Sequence, residues 1–281
     1  MTLASGIDKS EFSPTVRPQD DFFRYVSGPW EDTHQIPGDR AADGSFYTLR
    51  DEAEKQVRVI IEEADPSTQI GALYASFMDV ERVNALGVEP LAPDLARIEA
   101  AANHEELAAA LGALQREAVS GAVSYYVFAD RLDPDRNVVY LGQAGIGLPD
   151  EAYYREDAHA ATREKYVAHI DRMAALTGVA FDAATVMAVE TAIAKEHWDV
   201  VKTREAELTH NPTTLALLAD EAPGFAWAAW ADAIRMPEAA HALLVAGEPS
   251  FLTAFAHAWE STDLDTWKTY LRWRVVNSRA A

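Results

Sequence analysis

Leu49, Ala53, Val57, Ile60, Ile61 and Ala64 recur at steps of three and four, which places them on one face of a helix. The same period predicts helices over 69–85, 90–102 and 104–119. The last opens with Asn103 and carries Glu106 three residues on, the pattern of a capping box. Earlier, Phe22, Phe23, Tyr25, Val26 and Trp30 suit a short helix that starts at an acidic cap and stops at Gly28-Pro29. Residues 1–20 are polar and broken by Pro14 and Pro18, so they read as an extended arm. Beyond the middle, residues 151–176 and 182 to about 207 show long helical periodicity on either side of Thr177-Gly178, which predicts two antiparallel neighbours.

The period changes in one place. Val123–Ala129 and Val138–Leu141 are β-branched and aromatic, and the segment between them is rich in Asp, Asn and Pro. A two-stranded antiparallel ribbon near 122–142 follows, and it needs helices to pack on because a lone hairpin is marginal in water. The fold class is therefore mainly α: a multi-helical lobe over 21–281 with one small antiparallel β-hairpin. Gly142, Gly145 and Gly147 after the second strand read as a flexible connection.

Composition narrows the function. Of 281 residues, 24 are Lys or Arg and 45 are Asp or Glu, a formal charge of −21. Such a chain repels phosphate unless its cations cluster, and they do not, so nucleic acid and anionic membranes are excluded as default partners. No cysteine is present, which excludes disulfides, thiolate-bound metal and a cysteine nucleophile. The first residues have no signal-peptide pattern, and a cytoplasmic protein, or one exported without a signal peptide, is expected. Six of the seven Trp lie in the last third, where their area implies a core or an interface; an interface with a partner is the expectation carried forward. The apolar pattern runs to Ala281 without a C-cap glycine, so a longer polypeptide is expected.

Local searches for catalytic chemistry fail. A helical zinc site needs two His four apart, but Ala108 stands where His104 would find its partner. No Gly-x-Ser-x-Gly elbow occurs, and adjacent acids such as Glu62-Glu63 point about 100° apart on a helix. Two loop motifs remain. Ile146-Gly-Leu-Pro-Asp-Glu-Ala-Tyr-Tyr154 joins a turn to a helix start with paired Tyr, read first as a rigid turn docking two rings. In Asp43-Gly-Ser-Phe-Tyr-Thr-Leu-Arg-Asp-Glu52, Arg50 can bind a carboxylate or pair with Glu54 one turn on.

In order along the chain, Asp21-Phe-Phe-Arg-Tyr-Val-Ser-Gly-Pro-Trp30, Ile36-Pro37, Gly44-Ser-Phe-Tyr-Thr-Leu-Arg-Asp-Glu52, Leu73-Tyr-Ala-Ser-Phe77, Gly147-Leu-Pro-Asp-Glu-Ala-Tyr-Tyr154 and Trp267-Lys-Thr-Tyr-Leu-Arg-Trp-Arg274 resemble the N-terminal half of the neprilysin and endothelin-converting-enzyme family of zinc metallopeptidases. The likeness is strongest to its cysteine-free bacterial members, the mycobacterial ones in particular. It implies a non-catalytic lid lobe, incomplete at its C-terminal end, that closes a chamber for short peptides over a zinc ion held by a His-Glu-x-x-His helix in the C-terminal catalytic lobe. The implied partners are peptide substrates and that lobe. This chain itself would hold no zinc and no catalytic residue. The resemblance implies one substrate-binding residue, Arg50, which matches an arginine that receives a peptide's terminal carboxylate. The second arginine of that pair corresponds to Ala42, with Arg40 two residues away, which favours endopeptidase action. The alternative is a self-sufficient helical module that binds a peptide or protein without catalysis.

Overall fold

Fourteen α-helices and one four-stranded sheet form the described chain, residue 7 and residues 9–279 of a computed structural model. The mainly α class is as expected. It divides into two compact units, residues 1–83 and 84–281, at a point that no shift in composition marks. Part of the expected arm, residues 1–6 and 8, lies outside the described residues; the rest contains a short 3-10 turn at Lys9–Glu11.

In the first unit, α1 (Phe22–Thr33) starts at Asp21, whose carboxylate accepts the Arg24 N–H. It does not stop at Gly28-Pro29 as expected but continues through them. Pro29 cannot donate to the Tyr25 carbonyl, and that carbonyl instead accepts the Ser13 N–H at 2.7 Å, so no acceptor is orphaned. Next come α2 (Ser45–Glu62) and α3 (Gln69–Met78), the latter capped by Thr68. The pattern over 69–85 breaks at Asp79, whose carboxylate accepts the Arg82 N–H and starts α4 (Val80–Leu86). The apolar stripe of α2 covers no core: Leu49, Val57 and Ile60 are exposed, as are Leu73 and Phe77 on α3. Among the described residues of this unit, only Gly28 and Gly71 are buried.

The second unit holds the core. Its helices are α5 (Ala92–Ala100) and α6 (His104–Arg116), then α7 (Ala152–Arg155), α8 (Ala160–Thr177) and α9 (Ala183–Glu196). After these come α10 (Leu215–Glu221), α11 (Trp227–Ala233), α12 (Glu238–His241), α13 (Pro249–Ser261) and α14 (Leu264–Arg279). Asn103 and Glu106 cap α6 as the sequence predicts. α8 ends at Gly178 in the left-handed region, and α8 packs on α9. However, α9 ends at Glu196 rather than near 207. There the chain turns extended at His197, the Trp198 N–H is taken by the Gln143 side chain, and the Asp199 carboxylate caps a new turn.

The expected hairpin is β1 (Val123–Ala129) against β2 (Asn137–Gln143), antiparallel with Tyr126 opposite Tyr140. Two further strands extend it, β3 (Asn211–Thr213) and β4 (Leu244–Ala246), in the order β1-β2-β4-β3. β4 runs parallel to β2 and β3 antiparallel to β4. Trp227, Trp230, Trp259, Trp267 and Trp273 are all at most 1% exposed. For these five the expected interface is wrong: they are core, ring against ring, with Trp259 4.7 Å from Trp267, while the sixth, Trp198, is part-exposed.

Candidate functional site

The Gly147–Tyr154 motif is locked into the second unit by a buried polar cluster. Glu190 sits on the apolar stripe of α9, between Val186 and Ile193, and is fully buried. Its Oε2 accepts the Tyr154 hydroxyl at 2.7 Å and the Gly147 N–H at 3.1 Å, and its Oε1 accepts the Tyr166 hydroxyl at 3.0 Å. Tyr154 Oη in turn accepts the N–H groups of Gly147 and Leu148, each at 3.0 Å. From α14, buried Arg274 brings Nη1 to 3.7 Å from Glu190 Oε1 while its Nε donates to the Ser120 carbonyl. Trp273 Nε1 donates to the Tyr166 oxygen, and Tyr270 Oη donates to the Gly145 carbonyl. Burial pushes the Glu190 carboxyl up, opposed by these hydrogen bonds and by Arg274. Burial, and then the Glu190 charge, push the Tyr154 and Tyr166 hydroxyls up, so both stay protonated donors.

Two expectations are settled here. The motif is the rigid turn that its residues suggest. The Gly142–Gly147 segment, expected to be a flexible connection, is instead pinned: Gly145 and Gly147 are both bonded, and the Ala144 carbonyl meets His197 Nε2 at 3.0 Å. A Cβ on Gly147 would lie 1.9 Å from Tyr166 Oη, so the loop backbone needs glycine for close approach. Beside the cluster, Glu151, Arg155, Lys195, His197 and Asp199 line an open cavity of about 490 Å³. Burial lowers the His197 pKa, opposed by the hydrogen bond to the Ala144 carbonyl.

Arg50 lies in the other unit, on α2. Its Nε is 3.4 Å from Glu54 Oε1, the one-turn ion pair that the spacing allows, and half of its side chain is exposed. Sequence reading set Arg40 two residues from the place of the pair's second arginine, and the fold brings it to Arg50: the two guanidinium groups stand over the Tyr47 ring, at 5.7 and 5.1 Å from its centroid. Both also approach the same oxygen, Asp51 Oδ1, at 2.8 Å for Arg40 and 3.8 Å for Arg50. Arg50, Ala53, Val57, Ile61, Tyr74 and Phe77 line an apolar groove of about 590 Å³ between α2 and α3. Two converging guanidinium groups can take a carboxylate, and an apolar groove can take a side chain or a helix face.

Sequence reading missed Glu190, Arg274 and Tyr166. The available signal was an acid on the buried face of α9, flanked at helical spacing by Val186 and Ile193. His210 and His197 are part-buried rather than scattered on the surface, but neither meets a second His or a cluster of acids. Among the described residues, no three His, Asp or Glu side chains converge as a metal site requires. Among the described residues no helix is long and apolar enough to cross a membrane.

Comparison with known proteins gives these features a context. Residues 18–281 match the N-terminal model of peptidase family M13. The chain is 24% identical to endothelin-converting enzyme 1 of Cavia porcellus over 97% of its own length and 39% of that enzyme's. It is 23% identical to neprilysin-11 of Caenorhabditis elegans, covering 94% of this chain and 35% of that one. Among solved structures, the inhibitor complex of the zinc metalloprotease Zmp1 of Mycobacterium tuberculosis superposes with a TM-score of 0.84 at 44% identity, over 99% of this chain and 45% of that one. The chain thus spans between 35% and 45% of the length of these relatives.

Proposed function

The chain belongs to peptidase family M13, and from that premise we propose that it is the non-catalytic N-terminal lobe of a zinc-dependent metalloendopeptidase, closing a substrate chamber over a zinc site carried by a C-terminal lobe. One observation carries the reading: the family match spans the chain from residue 18 onward, yet the chain covers only 45% of the length of a zinc metalloprotease whose fold it shares. The unburied apolar faces of α2 and α3 support it, since a helical unit of this size without a core of its own needs a covering partner. On this reading the C-terminal lobe provides that cover.

In the proposed enzyme the division of labour follows from chemistry. Zinc, where bound, polarises a peptide carbonyl and activates water. This chain's residues bind and orient peptide. Arg50 receives the terminal carboxylate of a peptide, and Arg40, held beside it on Tyr47, shares that role in place of the arginine that Ala42 lacks. The Glu190 cluster keeps the Gly147–Tyr154 turn rigid, so that the chamber wall does not yield when peptide binds.

The test is metal analysis beside cleavage of a fluorogenic peptide. The expected result is neither tight stoichiometric zinc nor turnover from this chain alone. Either tight stoichiometric zinc or peptide cleavage by the chain alone contradicts the proposal.

A further inference from the structure

The two edges of the four-stranded sheet are built differently. β3 has only three residues, and Pro212 at its centre removes the donor that a further strand would need. β1 is seven residues long, Val-Ser-Tyr-Tyr-Val-Phe-Ala, with no charge, no Pro and no Gly. Natural edge strands are protected by such residues, or by brevity, because an open row of amides invites pairing. β1 has neither form of protection. Its exposed residues are apolar and aromatic: Tyr126, Val127 at 64% and Phe128 at 66% exposure.

The ladder register identifies the open groups. In an antiparallel pair, residues that bond across the ladder alternate with residues that face away. The Asp130 N–H bonds to the Arg136 carbonyl, so Phe128, Tyr126 and Ser124 also bond inward to β2. Leu141, opposite Tyr125, turns its carbonyl the other way and accepts the Gly247 N–H at 2.8 Å. Tyr125, Val127 and Ala129 therefore direct their main-chain groups to the outer edge. At one end the row is closed by Gln115, whose Nε2 donates to the Val123 carbonyl; at the other, Tyr140 Oη donates to the Ala129 carbonyl. Between these closures, among the described residues, nothing bonds to the outward N–H and C=O of Tyr125 and Val127 or to the Ala129 N–H. A neutral groove of about 330 Å³, lined by Gln115, Ser120, Gly121 and Tyr125, continues from the foot of the strand.

We propose that the outer edge of β1 is a strand-addition site for an extended peptide, held through Tyr125, Val127 and Ala129 by main-chain hydrogen bonds, with neutral or basic side chains favoured. Two features select this occupant. Donors and acceptors alternating along an extended strand are matched by another extended backbone and not by a helix or a small molecule. Charge then separates a peptide from a second copy: two chains of −21 repel each other edge to edge, whereas a neutral or basic peptide is not repelled. Main-chain recognition would also let one site accept many sequences. The proposal rests on reading the chain as a peptide-handling lobe, and it names where that peptide lies.

The experiment uses the 281-residue chain, a labelled hexapeptide of alternating Val and Lys, and amide hydrogen exchange with fluorescence anisotropy. The peptide should slow exchange at Tyr125, Val127 and Ala129. Val127→Pro removes one outward donor and spares the β2 ladder, so the circular dichroism spectrum should be unchanged while binding weakens about tenfold. The same peptide N-methylated at alternate amides should lose binding without any change to the protein. Absence of binding, protection elsewhere, or equal affinity for Val127→Pro overturns the proposal. So does a dimer that Val127→Pro dissolves, because the edge would then serve a second copy. Turnover by the chain alone would sink the lid-lobe reading but leaves these exchange results unaffected, so the two failures are distinguishable.

Discussion

Tyr154 and Glu190, 36 positions apart in sequence, meet at 2.7 Å in the core of the second unit, and their contact fixes the Gly147–Tyr154 turn to α9. Tyr154→Phe would strip a partner from Glu190 Oε2 and from the N–H groups of Gly147 and Leu148 at once. A loss of about 2–4 kcal/mol in urea unfolding is expected, near the upper end for one hydroxyl. Glu190→Ala, which leaves Arg274 buried beside no carboxylate, should cost about 3–5 kcal/mol. A loss under half of these values would mean that the cluster is slack.

The pH dependence of stability separates two carboxylates of opposite sign. Glu190 has its pKa raised by burial, so its contribution is full below the unfolded value of about 4.3 and is lost as pH rises through the folded value. Asp182, the cap of α9, has its pKa lowered by hydrogen bonds from the Thr185 N–H and hydroxyl. Its contribution is present above about 3.9 and is lost as pH falls through the folded value. Asp182→Ala should cost about 1 kcal/mol at neutral pH and less in acid, whereas Glu190→Gln should flatten the decline toward higher pH. Chemical unfolding at a series of pH values reads both.

Aromatic residues that look alike in sequence should behave oppositely. Trp259→Ala empties a fully enclosed site and should cost about 3–5 kcal/mol. Phe77→Ser, on the exposed face of α3, should change the unfolding free energy of the isolated chain by no more than about 0.5 kcal/mol. Combined with Leu49→Ser and Leu73→Ser, it should reduce self-association seen by sedimentation, because the apolar patch is then interrupted.

Much of this was legible beforehand. The α2 stripe, the Asn103 cap and the hairpin all follow from short local patterns, the longest of them the hairpin over Val123–Gln143. β3 and β4 did not, because three-residue strands are set by distant pairing: Leu244, Val245 and Ala246 form a strand only because β2 lies beside them. The continuation of α1 through Pro29 depends on Ser13, and the end of α9 depends on Gln143, contacts that local periodicity cannot encode. Arg50 and the nearby Arg40 were both named from the family resemblance, while their convergence on Tyr47 and Asp51 is set by the fold. The apolar stripe of α2 was read correctly as one face of a helix, but nothing in its period tells a core from an exposed surface.

Arg40 and Arg50 offer a test of substrate contact. In a chimera where this chain replaces the matching N-terminal portion of the Mycobacterium tuberculosis Zmp1 protease, Arg50→Ala should raise KM several-fold for peptides with a free terminal carboxylate and spare kcat. Amidated peptides should be less affected. Arg40→Ala should follow the same pattern; an unchanged KM in both would remove the pair from the site.

That chimera also gives the most direct measurement of the central claim: peptide cleavage by the 281-residue chain alone, set against cleavage by the chimera. A lid lobe predicts no turnover from the first and measurable turnover from the second. Turnover from the chain alone, or a folded, zinc-loaded chimera that fails to cleave, would contradict it.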